Sequence, residues 1–334
     1  MIVWLQLAVC LVVIGIAGWR LSRYGDILAE KTGLSASWIG LILLATATSL
    51  PELVTGISAV TVANATDIAV GNVLGATVFN LAFLVMLDFL YRKESLYSRA
   101  AQGHILSAAL GALLIAFAGF GLLLDQAGFS PTLGHVGFYT PLLALIYLLA
   151  MRVVYQYEKR TLAEFAEAAA ARYPEITMRQ AWMGYGLAAA AIVAAGSWLP
   201  FVAKDLAGFM GWEQSFVGTV LVAAITTAPE AMVTLSALRI GAVDMAIANL
   251  LGSNLFNIVI LAVNDLFYAP GPLFAVVSPS HIMTALTAVM MSALVIVGLI
   301  YRPQGRGVAG VSWISVGLFM LYLLNTWLLF QYEY

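Results

Sequence analysis

The chain has 334 residues, 62% hydrophobic and 10% charged, with mean hydropathy +0.96 and a formal net charge of −2. Soluble domains are nearer a quarter charged, so this composition excludes an ordinary globular protein of the aqueous phase. The charge balance offers no basic surface for nucleic acid, and a single cysteine, Cys10, excludes a disulfide framework or a cysteine metal cluster.

Ten mainly apolar stretches lie near residues 2–20, 36–62, 67–91, 103–124, 134–154, 181–203, 213–239, 243–267, 280–301 and 310–331. About 20 such residues cross a bilayer core of roughly 30 Å as a helix. The runs are too long and too uniformly apolar for the alternating strands of a barrel. The first, from Met1 to Gly18, has no basic segment before it, and Arg20 and Arg23 follow it, so it reads as a signal-anchor-like helix. A polar segment, 155–180, separates a first unit of five helices (1–154) from a second (181–334); within it Thr161–Arg172 reads as a short helix at the inner surface. With the N-terminus outside, every Lys and Arg except Lys204 falls in an inner loop, which predicts N-out, C-out insertion in the cell membrane. Trp4, Trp19, Tyr91, Trp212 and Tyr301 lie near span ends and read as interfacial anchors.

Two blocks recur. Gly40, Pro51 and Glu52 match Gly218, Pro229 and Glu230 at an offset of 178 residues. Asp67, Asn72, Gly75, Phe79, Asn80 and Asp88 match Asp244, Asn249, Gly252, Phe256, Asn257 and Asp265 at an offset of 177. An odd number of helices per copy inserts the two copies with opposite topology. The fold class expected is therefore an all-α polytopic membrane protein of ten helices, in two inverted five-helix repeats. A carboxylate in the middle of an apolar span is expensive and marks an ion or proton path; Glu52 and Glu230 do this in duplicate.

In the first block Ala45, Thr48, Ser49 and Glu52 share one helix face; Ala223, Thr226, Thr227 and Glu230 do so in the second. Pro51 and Pro229 free the carbonyls of Ala47 and Ile225. Hydroxyls, carbonyls and carboxylates together form an oxygen set suited to a hard cation such as calcium. Asn72, Ala76 and Asn80, like Asn249, Ser253 and Asn257, line a second face, and Gly71, Gly75 and Gly252 permit close helix approach. Thr46, Thr55 and Thr234 are expected to bond back to their own helices, and Asp67 and Asp244 to cap helix N-termini. Asp88 and Asp265 are expected near the interface. His104, His135 and His281 show neither metal spacing nor a repeat partner.

The paired motifs ATATSLPE…GNVLGATVFN and AITTAPE…ANLLGSNLFN resemble the two alpha repeats of the sodium/calcium exchanger family. That resemblance implies Ca2+/Na+ antiport by alternating access, with no prosthetic group and with the lipid bilayer and the transported ions as partners. It implies calcium between Glu52 and Glu230, with main-chain carbonyls of Thr48 and Thr226. It further implies one sodium position at Ala45, Ser49 and Glu52, another at Ala223, Thr227, Ser253 and Glu230, and Asn80 and Asn257 around a middle position. The helices near 2–20 and 181–203 would slide across the rest. Ala76 stands where the family commonly has a serine, Thr77 where it has the asparagine that Asn254 retains, and Asn257 where some relatives carry an acid. Two glutamates are neutralised by one calcium, two sodium ions or two protons, so Ca2+/H+ exchange is the alternative. An intramembrane aspartyl-type hydrolase and a channel are the rivals from other classes; neither explains the flanking hydroxyls and freed carbonyls.

Overall fold

The computed structural model describes residues 2–32, 48–92, 94–168, 175–239, 241–303 and 310–332. Among these, eight helices are long and apolar enough to cross a membrane: α1 Ile2–Thr32, α3 Thr66–Leu90, α4 Gly103–Gln126, α5 Tyr139–Ala168, α6 Met178–Met210, α9 Val243–Phe267, α10 Ser280–Tyr301 and α11 Trp313–Tyr332. A ninth span forms if the bent run Gln214–Arg239 is taken as one. It comprises a π-helical segment Val217–Val222, α7 Ala223–Thr226 and α8 Ala228–Arg239. The apolar helix α2, Leu50–Ser58, extends as a π turn to Ala63; residues 36–47 of the span expected over 36–62 lie outside the described residues. The chain is a multi-pass helical membrane protein.

Several boundaries differ from the sequence reading. Helix α1 continues to Thr32 instead of ending near residue 20, so Arg20, Arg23 and Lys31 ride on it. The reason is packing: Leu21 lies with Ala188 and Ile192, and Ile27 with Ala181, along the 33-residue α6. Helix α6 starts at a reciprocal capping box in which Thr177 and Gln180 satisfy each other's backbone N–H groups. The span expected from 134 opens instead as a small hairpin, β1 Thr132–Leu133 with β2 Val136–Gly137, turned by Gly134 at φ +70°. Helix α5 then runs unbroken from Tyr139 to Ala168, so Thr161–Ala168 is its continuation and not a separate helix; residues 169–174 are outside the description.

Helix α3 lies centrally, against the π-helical segment, α9, α10 and α11. A methyl group on Gly75 would fall 2.2 Å from the Thr219 carbonyl oxygen, so α3 meets that segment backbone to backbone. Its counterpart Gly252 has nothing within 4 Å among the described residues; residue 41, the repeat equivalent of Thr219, lies outside them.

Contacts between the halves come in matched pairs. Asp67 accepts from the Ser278 N–H at 2.6 Å and contacts His281 Nε2 at 3.0 Å; Asp244 accepts from the Ala101 N–H at 2.7 Å and contacts His104 Nε2 at 3.1 Å. These aspartates make no side-chain cap to their own helices. They reach across to the start of a helix in the other half, whose own free N–H groups attract a carboxylate. His104 and His281 are thus repeat partners, offset by 177 residues and both buried. His135 contacts the Leu266 carbonyl at 3.1 Å.

Asp88 and Asp265 are buried, not interfacial. Asp88 accepts from the N–H groups of Leu96 and Ser312 and from the Ser315 hydroxyl. Asp265 accepts from the N–H groups of Gly137 and Leu273 and from Tyr139 and Thr140. Each carboxylate is compensated by several donors, which is what makes its burial tolerable.

Candidate functional site

The two halves meet at the proline–glutamate motifs. Pro229 has no N–H and crowds the preceding turn; the chain bends by 44° between α7 and α8. Glu230 follows in the first turn of α8, and Glu52 takes the equivalent place in α2 after Pro51. Both glutamates are 1% exposed. Each carboxylate lies over its own backbone N–H, so that donor is directed to the site.

The hydroxyls cross over. Ser49 Oγ, from the first motif, lies 3.3 Å from Glu230 Oε1, at the long end for a hydroxyl hydrogen bond, and Ser253 also faces Glu230. Thr226 and Thr227, from the second motif, face Glu52. Thr226 Oγ1 also donates to Asn72 Oδ1 at 2.9 Å, and Thr227 Oγ1 to the Ala223 carbonyl at 2.6 Å. Thr48 is buried beside Ser49 at the start of the motif. The Ala223 carbonyl accepts from both threonine hydroxyls and from the Thr227 N–H. Ala45, expected in the same set, lies outside the described residues, as does Thr46.

Asparagines brace the motifs from behind. Asn72 Nδ2 donates to the Glu52 carbonyl and Asn249 Nδ2 to the Glu230 carbonyl, each at 3.3 Å. Asn80 Nδ2 donates to Asn254 Oδ1 at 3.0 Å, and Asn254 Nδ2 to the Thr77 carbonyl at 3.3 Å. Asn254 therefore belongs to the lattice joining the halves, a role its sequence position alone did not mark. The back-bonding expected of Thr55 and Thr234 is not found: Thr55 Oγ1 has no hydrogen-bond partner, and Thr234 Oγ1 accepts from Asn249 at 3.0 Å. Thr234 accepts from the asparagine across the helix pair, a bond that uses its oxygen lone pair.

What is left unsatisfied indicates the chemistry. Glu52 Oε2, Glu230 Oε2, Asn80 Oδ1 and Asn257 Oδ1 are buried with no hydrogen-bond partner among the described residues. All four are acceptors, carried by α2, α8, α3 and α9, and two belong to carboxylates. Buried acceptors without donors are costly, and a cation is a partner that an unmet carboxylate oxygen accepts. The set is oxygen only, which suits calcium or sodium and not a soft metal. Among the described residues, no group of three or more His, Cys, Asp or Glu side chains forms a metal cage.

Comparison with known proteins agrees with this architecture. The family model for sodium/calcium exchanger protein matches residues 2–156 and 180–331. The inner membrane protein YrbG of Escherichia coli (strain K12) is 24% identical over 323 residues, covering 95% of this chain and 96% of that protein. Sodium/calcium exchanger MaX1 of Methanosarcina acetivorans is 34% identical over 138 residues, covering 41% of this chain and 37% of its own. Among solved structures, the H+/Ca2+ exchanger CAX superposes with TM-score 0.66 at 14% identity, covering 99% of this chain and 85% of that one. The sodium-calcium exchanger NCX_Mj gives TM-score 0.60 at 20% identity, with 97% of each chain covered.

Proposed function

Because the chain belongs to the sodium/calcium exchanger protein family, a family of cation antiporters and not of enzymes, we propose that it exchanges Ca2+ for Na+ across the cell membrane by alternating access. The observation that carries this reading is the pair of buried carboxylates, Glu52 and Glu230, each with one oxygen that no donor meets, joined across the halves by Ser49. One calcium cancels the charge of the two glutamates, and a near-neutral load is the form in which a site crosses a low-dielectric interior. Thr48, Ser49, Ser253, Thr226 and Thr227, with the backbone at Ala45 and Ala223, complete the proposed calcium and sodium positions, and Asn80 and Asn257 flank the middle.

In this reading the chain has ten spans in two inverted repeats. It is supported by the equivalent bonds of Asp67 to Ser278 and Asp244 to Ala101, and of Asp88 to Leu96 and Asp265 to Leu273. The end that carries Arg92, Arg99 and Arg302 faces the cytoplasm, and the end at Lys204 and Asp265 faces outward. Helices α1 and α6, which pack along one another, form the sliding pair. A second reading, proton coupling, is favoured by Ala76: the hydroxyl that Ser253 provides in one half is missing in the other.

The test is calcium uptake into proteoliposomes under an imposed sodium gradient and, separately, an imposed proton gradient. Uptake driven by sodium alone supports the first reading and uptake driven by protons alone the second. Uptake that ignores both gradients defeats antiport.

A further inference from the structure

Beyond the glutamates, toward the end of the molecule that holds Asp265, the structure contains polar groups that the site as described does not use. Gly56 is four residues after Glu52 in α2, on the same face and one turn further along. Asn264, on α9, presses its amide onto Gly56: a methyl group there would fall 2.5 Å from both Nδ2 and Oδ1. Asn264 is 0% exposed, and neither amide atom has a hydrogen-bond partner. Thr55 Oγ1 is likewise buried and unpartnered, on the side of the same turn that meets Gly196 of α6. A buried amide orphaned at both ends is rare, because each unmade bond costs about 1–3 kcal/mol.

The other half is built differently at the equivalent positions. By the repeat offsets, Gly56 corresponds to Thr234, Asn264 to Leu87 and Thr55 to Val233. There the polar atom is the Thr234 hydroxyl, already engaged by Asn249 at 3.0 Å, and the other two positions are apolar. The orphaned amide is therefore a feature of one end only, and packing does not require it, since leucine and valine serve in the other half.

We propose that Asn264 forms an additional cation station one helical turn from Glu52, on the path between the central site and the Asp265 end. This rests on the reading of Glu52 and Glu230 as the ion site. The amide oxygen takes the place of a lost hydration water on a partly dehydrated calcium or sodium ion, and the amide N–H groups hold a water that the ion retains. The station gives the two faces unequal affinities for the same ion, because only one access path carries it.

The test uses purified full-length protein in proteoliposomes of known orientation, with calcium as the probe, and measures its KM from each face. Asn264→Leu installs the residue that the other half uses; Asn264→Ser, smaller and still polar, guards against a packing defect. Loss of one neutral ligand predicts a KM raised about tenfold from the Asp265-end face in Asn264→Leu, with the other face unchanged and a partial return in Asn264→Ser. An equal rise on both faces, or none on either, overturns the proposal. Glu52→Gln is the companion measurement. Lost flux in Glu52→Gln beside an unshifted Asn264→Leu rejects the station alone, whereas wild-type flux in Glu52→Gln rejects the central site and the station with it.

Discussion

Gly18 lies where α1 crosses the start of α8, and replacing it with alanine tests whether that crossing controls the site. The added methyl would fall 2.2 Å from Pro229 Cγ and 2.5 Å from its Cβ. Non-bonded carbons rest about 3.5–4.0 Å apart, so the helices must part by more than about 1 Å. A proline ring cannot fold away, and Pro229 is bonded to Glu230, so the displacement passes directly to one of the two carboxylates. Overpacking of this kind costs about 1–3 kcal/mol of stability. Shifts of about 1 Å in a positioned group cost on the order of 10²-fold in catalytic sites, and we expect calcium flux in Gly18→Ala to fall at least tenfold. The assay is radiolabelled calcium uptake at matched reconstituted protein, alongside thermal unfolding in detergent. Gly208→Ala on α6 is the control, because its methyl meets nothing within 4 Å among the described residues. Wild-type flux and wild-type unfolding in Gly18→Ala would show that α1 rides clear of Pro229 and would refute the reasoning.

Glu52→Gln or Glu230→Gln removes half of the neutralising charge. A unit-charge pair at about 4 Å and an effective dielectric near 20 amounts to about 4 kcal/mol. Calcium affinity should therefore drop at least about 10³-fold, and appreciable uptake by either purified variant speaks against the site. Ala76→Ser restores the hydroxyl that Ser253 has in the other half and should steepen the dependence of calcium uptake on the sodium gradient; an unaltered sodium dependence removes that assignment. Asp265→Ala strips the acceptor from four donors in Gly137, Tyr139, Thr140 and Leu273. It should destabilise the protein by more than about 3 kcal/mol, read as a lower unfolding temperature in detergent, and an unshifted transition contradicts it.

The spans were legible because apolar runs and charges separate bilayer from water whatever the helices touch: Val243–Phe267 and Ser280–Tyr301 begin and end where hydropathy places them. Glu52 and Glu230 were legible for the same reason, since a carboxylate stands out in an apolar run. The partnership of His104 with His281 was also present, in their spacing of 177 residues, but histidine lies outside the proline–glutamate and asparagine blocks that define the repeat.

Sequence by itself determined that this is a multi-pass protein with duplicated acidic motifs, because transfer between water and hydrocarbon depends on each residue's own chemistry. Only the tertiary structure decided who meets whom. Lipid and protein interior are equally apolar, so hydropathy does not distinguish a lipid-facing side from a packed one. The length of α1, the reach of Asp67 and Asp244 to the opposite half, and the bond between Asn80 and Asn254 follow from packing across more than a hundred residues of chain. The orphaned amide of Asn264 was likewise invisible, since an asparagine in a span reveals a need for partners but not whether the neighbouring helix provides them.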